Sequence, residues 1–349
     1  MTQVKAIAFF NNKGGVGKTT LACNFASWLS REHGKRVVVI DCDPQANATQ
    51  LSLTDDIWDT IYEDVNKSRK ETLLHVFNAI NDGYATICND YRLHYAERFE
   101  YSVLAAHPNL ATIEDTLSSS WVEFLAAKSA GANRTTWLRS LCSDLNTQHK
   151  FEYAIIDMGP SLGALNRSIL LGCDAFITPV EPSLFSQYAL LNIGTWVTKI
   201  IEDYDRSRQE TLRKSPDLGF KDKLPKLLPL TEGWIGYTIQ QYLVKKKEGQ
   251  ERTVKSYEYY KSKIATSSET LLRLLPNDTL NGEIGTVPYM FSMAPLAQSR
   301  HTPIACLKPA DGLIGGQAKQ RDKYVAQLEL IFSEIFNRIS QVHNWQTTI

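Results

Sequence analysis

The chain has 349 residues, which is long for one domain but within the range of one α/β unit with insertions. Lysine plus arginine and aspartate plus glutamate both number 38, so the overall charge indicates neither a nucleic-acid partner nor an acidic substrate, and any such surface must be local. The hydrophobic fraction of 43% is enough for a sizeable core, and no apolar run approaches the roughly 18–20 residues that span a bilayer.

The first predicted element is a buried strand over residues 4–10, and a helix with an apolar face begins near Leu21. Between them lies the glycine-rich string NNKGGVGKTT. A glycine-rich turn between a strand and a helix presents backbone N–H groups and the positive helix end to an anion. In such a turn Lys18 reaches the β- and γ-phosphates and the Thr19 hydroxyl ligates Mg²⁺ directly. The sequence therefore predicts a nucleotide site at the turn formed by Lys13, Gly14, Gly15, Val16, Gly17, Lys18, Thr19 and Thr20.

This turn departs from the ordinary pattern G-x-x-x-x-G-K-[ST], because Asn12 stands where a glycine is required and a second lysine, Lys13, follows it. The string KGGVGKTT resembles the deviant Walker A box of the ParA/MinD ATPases, and most closely that of the ParA branch. In that family the first lysine reaches across a dimer interface to the partner's nucleotide, and two subunits enclose two ATP molecules. The resemblance implies an ATP-gated homodimer in which Lys13 completes the site of the other subunit.

Two further strands are predicted to end in carboxylates, at the sheet edge where open α/β sheets bind ligands. After the strand of residues 36–40, the string DCDPQAN matches the family's D-x-D-P-Q-x-N box residue for residue. By resemblance Asp43 orients the attacking water and Asp41 lies near the metal shell. The apolar strand of residues 151–157 ends in Asp157, the Walker B position, which by resemblance holds a Mg²⁺-bound water.

Two loops that follow predicted strands also match the family. Residues 158–163 parallel its D-x-P-P-S-L-G segment, with Gly159 in place of the first proline, and should respond to the γ-phosphate. Residues 181–186 follow a strand over residues 175–180 and match the segment that faces the dimer partner.

The connecting segments carry weaker signals. We expect a helix over residues 72–80, a strand over 101–105 and a mostly helical stretch over 121–145 that is interrupted around Gly131. The prolines and charges of residues 204–230 predict a partly irregular excursion. Insertions into the ATPase domain are accordingly expected near residues 80–100, 203–230 and 244–262.

The adenine side is assigned by resemblance to Tyr237 and Thr238, in a strand over residues 234–239, and to Pro288 and Tyr289, at the end of a last strand. The loop after Pro288 departs from the family's I-P-R-x-x-R-x-x-E-A-P pattern, because it lacks both arginines and the glutamate. Those arginines are implicated in DNA contact, so DNA binding does not carry over at this loop.

A local basic stretch offers another DNA surface. Residues 245–263, expected in the helix after the adenine-side strand, hold seven Lys/Arg and three Glu, a local charge of +4. One reading is a DNA-binding surface without sequence preference, and the other is a solvated helix face. We predict that the ATP-bound dimer binds DNA through Lys245, Lys246, Lys247, Arg252 and Lys255.

The C-terminal pattern bears on localisation. Tyr324, Leu328, Ile331, Ile335 and Ile339 form a stripe at helical spacing, but the residues that follow are not basic, which favours a core-packing helix over the membrane helix that ends MinD. The six cysteines form no C-x-x-C pair, and a strand stands at the start of the chain where a signal peptide would lie. We therefore expect a cytoplasmic protein without membrane attachment, associated with the nucleoid if it binds DNA.

The predicted fold is a single α/β domain over residues 1–349: a doubly wound, mostly parallel sheet with helices on both faces, of the P-loop NTPase type with a deviant Walker A box and helical or loop insertions.

Lys13, Lys18 and Asp43 are the expected catalytic residues, with ATP and Mg²⁺ as ligands. The resemblance implies an ATPase that partitions or positions DNA or other cargo, stimulated by a ParB-like or other activating partner. The alternative is the same switch in a regulator, polar organiser or defence module with a dedicated protein partner. An iron–sulfur carrier is disfavoured by the absence of paired cysteines.

Overall fold

A computed structural model describes residues 4–62, 68–214, 224, 232–240, 245–247, 250–252, 255–276, 278, 280–290 and 292–342. Its strands are β1 (Lys5–Phe9), β2 (Val37–Cys42), β3 (His94–Ala96), β4 (Tyr101–Leu104), β5 (Tyr153–Met158), β6 (Ala175–Val180), β7 (Trp234–Gln240), β8 (Lys245–Lys247), β9 (Gln250–Arg252) and β10 (Glu283–Val287). Its helices are α1 (Lys18–His33), α2 (Asn47–Ser52), α3 (Asp55–Tyr62), α4 (Leu73–Val76), α5 (Asn78–Asn81), α6 (Ile113–Leu125), α7 (Ser129–Thr135), α8 (Trp137–His149), α9 (Ala164–Gly172), α10 (Leu184–Lys214), α11 (Lys255–Ser267), α12 (Glu269–Leu272), α13 (Met293–Ser299) and α14 (Gln317–Gln341).

The main sheet has eight strands in the order β10–β7–β6–β1–β5–β2–β4–β3. Its neighbours pair in parallel except for the β3–β4 edge pair, which is antiparallel. Side chains alternate along β1: Ala6 and Ala8 join the apolar core with α8, α9 and α10, whereas Ile7 and Phe9 join the core with α1 and α14. Because helices cover both faces, the central strands are buried throughout. The predicted doubly wound α/β fold is confirmed.

The predicted stripe of the last helix is buried in α14, as a core-packing helix requires. The same helix is joined to the sheet by Arg338, whose guanidinium is buried and donates to the backbone carbonyls of Ile235 (3.0 Å), Asn281 (2.8 Å) and Glu283 (3.0 Å). Throughout the described chain, no helix combines the length and the apolar character needed to cross a membrane.

The stretch of residues 121–145 is mostly helical and interrupted, as predicted, but the breaks lie on either side of Gly131 rather than at it. The helical stretch breaks instead after α6, where Ala127 has a positive φ of 58°, and again at Thr136 before α8. Gly131 lies inside α7, where a Cβ would stand 2.5 Å from the Phe124 nitrogen. The glycine therefore permits close contact between α6 and α7 rather than ending a helix. Similarly, the helix expected over residues 72–80 is two short helices, α4 and α5.

The irregular excursion expected from residue 204 is wrong over its first part. Helix α10 continues to Lys214 and is 31 residues long, with Tyr204 fully buried against the core. Burial of this apolar face outweighs the charge of the segment. The remainder of that prediction, residues 215–230 apart from Leu224, lies outside the described residues.

The basic stretch is not helical where its lysines cluster. Residues 245–247 form β8, which pairs antiparallel with β9 in a two-stranded ribbon, and the following helix begins only at Lys255. The register places Lys245 opposite Arg252 and Lys246 opposite Glu251. Gly249 between the strands disfavours a continuous helix, a signal that the sequence analysis underweighted. In the segment near residues 80–100, the short edge strand β3 was also missed.

Candidate active site

The glycine-rich turn joins the carboxyl end of β1 to the first residue of α1, Lys18. Gly15 and Gly17 have φ values of 73° and 79°, which only glycine adopts at low energy. At Gly17 space is also limiting, since a Cβ there would lie 2.3 Å from the Gln240 side-chain nitrogen. Both glycines are thus required for the turn that presents the start of α1 to an anion.

Lys18 is buried beside this turn, with 7% of its surface exposed. Its ammonium donates to the backbone carbonyl of Lys13 at 3.0 Å. Burial lowers the pKa of Lys18, while the nearby Asp157 and Asp43 carboxylates oppose that shift. A neutral carbonyl is a weak partner for a desolvated cation, so an anion in the turn would gain a charge-assisted hydrogen bond here.

Thr19 and Asp157 form the pair on which a metal site depends. The Thr19 hydroxyl donates to Asp157 Oδ2 at 2.7 Å, and Asp157 Oδ1 is buried without a hydrogen-bond partner among the described residues. Burial, together with the neighbouring Asp41 carboxylate, raises the pKa of Asp157 well above its ordinary range. A hydroxyl and an unpartnered buried carboxylate oxygen are hard oxygen donors of the kind Mg²⁺ and its bound waters prefer. The residues therefore fit a magnesium ion.

Asp41 and Asp43 occupy different positions in this edge of the sheet. Asp41 is fully buried and accepts from the Thr49 backbone and hydroxyl at 2.7 Å each and from the Asp43 backbone at 3.1 Å. Burial raises the pKa of Asp41 to about 6. Because both its oxygens are already engaged, Asp41 suits a position behind the metal rather than on it. Asp43 has one oxygen engaged, Oδ1 accepting from the Gln45 backbone at 3.0 Å, and its side chain lines the cavity beside the turn.

Two adjoining cavities share the glycine-rich turn. The phosphate-side cavity, of about 410 Å³, is lined by Lys18, Thr19, Asp43 and Pro160 among others. The second cavity, of about 250 Å³, is lined by residues at and just beyond the carboxyl ends of β6, β7 and β10, and we call it the adenine-side cavity after the predicted contacts Pro288 and Tyr289. These residues are Glu181, Gln240, Val287, Pro288, Tyr289 and Met290. Gly15, Gly17, Thr20 and Asn24 border both, so they form one continuous cleft.

Of the four residues predicted to contact adenine, Pro288 and Tyr289 line the adenine-side cavity and Tyr237 and Thr238 do not, and adenine binding stays a prediction for all four. Tyr237 and Thr238 are buried within the described part of β7 and line neither cavity. The residue that reaches the cleft from this strand is Gln240, at its carboxyl end. Gln240 was not predicted from the sequence, although the rule that ligands lie beyond strand ends points to it.

Lys13 is held within its own chain by the loop that follows β6. Its ammonium forms an ion pair with Glu181 and a hydrogen bond to the Ser183 hydroxyl at 3.0 Å. The side chains of Lys13 and Glu181 remain 24% and 35% exposed. The Lys13 side chain is therefore held by contacts within its own chain but remains partly exposed at the surface.

An apolar patch begins at Leu184, directly after Glu181 and Ser183 in the chain. Four side chains of the first turns of α10 are exposed, with Phe185 the most exposed at 73%. We call this the α10 patch, and it consists of Leu184, Phe185, Tyr188 and Leu191. Clustered exposed apolar side chains of this size mark interaction surfaces more often than chance.

The loop of residues 158–163 is fixed at both ends. Asn166 donates to the carbonyls of Gly159 and Ser161, at 2.8 Å each. Glu114 from α6 accepts from the backbone nitrogens of Ala164 (2.5 Å) and Leu165 (3.1 Å), so a carboxylate caps the start of α9. This cap was not predicted from the sequence, since no local pattern reports a contact between residues 50 positions apart.

Comparison with known proteins extends these observations. A family model described as an AAA domain matches residues 4–210, which include the turn, Asp41, Asp43, Asp157 and most of α10. The chromosome partitioning protein ParA of Caulobacter vibrioides is 26% identical over 198 residues, 56% of this chain and 63% of that protein. The chain spans about three fifths of the length of the first curated relatives that it matches.

Two solved structures resemble the whole described fold. Protein DIP2308 of Corynebacterium diphtheriae superposes with a TM-score of 0.75 at 30% identity, covering 96% of this chain and 99% of that one. The ATP complex of a McdA variant from Cyanothece superposes with a TM-score of 0.60 at 16% identity, covering 96% and 98%, which supports the fold alone. From the matched family model, the deviant turn and these relatives, we conclude that the chain belongs to the AAA-domain family and, within it, to the ParA-type ATPases.

Proposed function

We propose that the chain is a Mg²⁺-dependent ATPase whose ATP-bound form is a homodimer. The observation that carries the proposal is the Thr19–Asp157 pair, with its unpartnered carboxylate oxygen, next to the buried Lys18 in one cleft. Such a cluster of desolvated charge at the end of parallel strands costs stability in the free protein and is explained by a bound metal–phosphate group.

The proposed reaction is ATP + H₂O → ADP + phosphate. The backbone N–H groups of the turn and the Lys18 ammonium stabilise negative charge on the transferred group. Thr19 would hold the magnesium ion directly and Asp157 through a bound water, with Asp41 behind them. Asp43 lines the same cavity and positions the attacking water.

We propose that Lys13 acts on the nucleotide of the other subunit. Three observations support this: the ammonium lies at the surface, its partners Glu181 and Ser183 border the α10 patch, and Glu181 itself lines the adenine-side cavity. Burial of the α10 patch against its copy would bring both Lys13–Glu181 pairs to the interface of an isologous dimer. The ion pair between two partly exposed groups contributes at most about 1 kcal/mol, so Lys13 can leave Glu181 for another partner with little loss of free energy.

We further propose that the dimer binds DNA without sequence preference through Lys245, Lys246, Lys247, Arg252 and Lys255. The antiparallel ribbon β8–β9 pairs Lys245 with Arg252 and holds Lys246 and Lys247 in the same strand, and Lys255 is the first residue of α11. The loop after Pro288 lines the adenine-side cavity, which supports a nucleotide role for it rather than a DNA role. Partition or positioning of DNA or other cargo, with a ParB-like activating partner, follows from this proposal. If DNA binding fails, the same switch serves a dedicated protein partner.

The test is to measure the molar mass by light scattering in solution with ADP, with ATP, and with ATP plus random-sequence duplex DNA, alongside phosphate release. We expect a monomer with ADP, a dimer with Mg·ATP, and a larger species when DNA is added. Lys18→Ala should remain monomeric with ATP, whereas Lys128→Ala, at an exposed lysine far along the chain, should behave as wild type. A wild-type protein that stays monomeric at every ATP concentration contradicts the dimer, and one that releases no phosphate contradicts the ATPase.

A further inference from the structure

A second group of potential metal ligands lies outside the nucleotide cleft. His75 from α4 and Cys88 and Asp90 from the loop that follows α5 bring one ligand atom each within 4.8 Å of one another. His75 is buried, Cys88 is half-buried and Asp90 is exposed. Neither the proposed ATPase chemistry nor the resemblance to known ATPases accounts for this cluster.

The three side chains are held in place by defined contacts. The imidazole Nε2 of His75 lies 2.6 Å from Asp90 Oδ1, and its Nδ1 lies 3.2 Å from the Asn78 amide. The Cys88 backbone donates to the Val76 carbonyl at 3.0 Å, which fixes the loop against α4. The site is therefore partly organised before any ion binds, which lowers the entropic cost of binding.

Lys70 is the one cation in contact with the cluster in the described chain, with its ammonium 2.6 Å from Asp90 Oδ2. Hydrogen bonds from Lys70 and then from His75 lower the pKa of Asp90 to about 2, so this carboxylate is ionised at neutral pH. Because Lys70 contacts Oδ2 and His75 contacts Oδ1, a metal can take Oδ1 while Lys70 keeps Oδ2. The lysine is then compatible with a ligating carboxylate.

The geometry points to a zinc site formed by His75 Nε2, Cys88 Sγ and Asp90 Oδ1, with a fourth position left for water. Thiolate with imidazole selects Zn²⁺ over Mg²⁺ and Ca²⁺, which prefer oxygen ligands. Zn–S and Zn–N bonds of about 2.3 and 2.0 Å at tetrahedral angles separate the ligand atoms by about 3.3–3.6 Å. The observed separations require shifts of about an ångström, which the half-exposed Cys88 loop can supply.

Proton balance provides an independent signature. The thiol of Cys88 gives up its proton when its sulfur ligates the ion, and ligation through Nε2 leaves the ring proton of His75 on Nδ1. There the Asn78 amide, turned to present its oxygen, accepts it and orients the ring. Zinc binding should therefore release the Cys88 thiol proton.

The test uses the full chain after removal of transition metals, in a buffer with excess Mg²⁺ and no nucleotide. The protein is titrated first with Co²⁺ and then with Zn²⁺. We expect a near-ultraviolet sulfur-to-cobalt charge-transfer band that saturates at one equivalent and disappears when Zn²⁺ displaces the cobalt. Calorimetry in buffers of different ionisation enthalpy should report the released proton. Cys88→Ser should abolish the charge-transfer band, and Asp90→Asn, at an exposed position, should weaken Zn²⁺ binding at least about tenfold.

The matched control is Cys306→Ser, which removes the other half-exposed thiol and should leave the band intact. Urea unfolding without metal shows whether each variant is folded. The proposal is overturned if the wild-type chain binds no stoichiometric Co²⁺ or Zn²⁺, if Cys88→Ser keeps the band, or if a folded Asp90→Asn binds Zn²⁺ as tightly as wild type.

Discussion

The proposal that Lys13 acts across the dimer makes a quantitative prediction for mixed subunits. Lys13→Ala and Asp43→Ala should each be inactive alone, the first because its dimer lacks the lysine from the partner and the second because water is not positioned. In a mixed dimer, the Lys13→Ala subunit keeps its own Asp43 and receives an intact Lys13 from its partner. Random exchange at equal concentrations makes half of the dimers mixed, each with one complete site, so phosphate release should recover to about a quarter of wild type.

The structure bounds the size of each effect. The ion pair of Lys13 with Glu181 is partly exposed, so its loss costs at most about 1 kcal/mol of folding stability and leaves nucleotide binding intact. A cation supplied by a partner to a transferring phosphoryl group typically contributes about 10³–10⁵ in rate. A loss of hydrolysis of at least about 100-fold in Lys13→Ala would therefore be a catalytic effect and not an unfolding effect.

The assay is phosphate release from the separate variants, from the mixture after subunit exchange, and from Lys128→Ala as a control lysine that should keep full activity. If Lys13 serves its own subunit, no site in the mixture is complete and activity stays at the level of the single variants. That outcome, or a Lys13→Ala protein that hydrolyses ATP at the wild-type rate, would show that Lys13 does not act on the partner's nucleotide.

Asp43→Ala should bind Mg·ATP and accumulate as a dimer in light scattering, with phosphate release slowed about 100-fold or more, because the phosphate cradle remains while water is not positioned. Replacing the lysines of residues 245–247 with glutamate should abolish filter binding of duplex DNA, because the charges that neutralise phosphates are reversed, and should leave basal hydrolysis unchanged. Binding by the wild type should weaken with salt, with a slope of roughly −0.9 in log K against log salt for each phosphate contact. Arg338→Leu should lower the free energy of unfolding in urea by about 3–5 kcal/mol, because buried carbonyls lose their donor, whereas the exposed Arg206→Leu should change it little.

Each of these has a clear contrary result. An Asp43→Ala protein that stays monomeric with ATP and hydrolyses it normally would remove Asp43 from its assigned position. Unchanged DNA binding in the glutamate variant would leave the ribbon as a solvated surface. An Arg338→Leu protein as stable as wild type would mean that water replaces the guanidinium at those carbonyls.

The parts of the fold and site that sequence predicts are those encoded by short local strings. The apolar runs ending at Phe9, Asp41 and Asp157 define adjacent parallel strands, and the turn before Lys18 defines a phosphate site. The rules for parallel sheets then place the ligand site beyond the carboxyl ends of these strands.

What the sequence does not predict depends on contacts between distant residues. The pairing of Lys13 with Glu181 joins positions 168 residues apart, and no local pattern reports it. Helix α10 continues past the charged residues because Tyr204 is buried, which is a tertiary effect that overrides local composition. The ribbon at Lys245 was taken for a helix because a run of lysines carries little periodicity.

Helix α10 also has the dimensions of a lever. Its 31 residues make it about 46 Å long, with the α10 patch at one end and Arg213 and Lys214 at the other. A tilt of about 5° at the first turn, of the kind that dimer packing could impose, moves the last turn by about 4 Å. A protein bound to the C-terminal end of α10 would therefore respond to the closure of two subunits around nucleotide without contacting either active site.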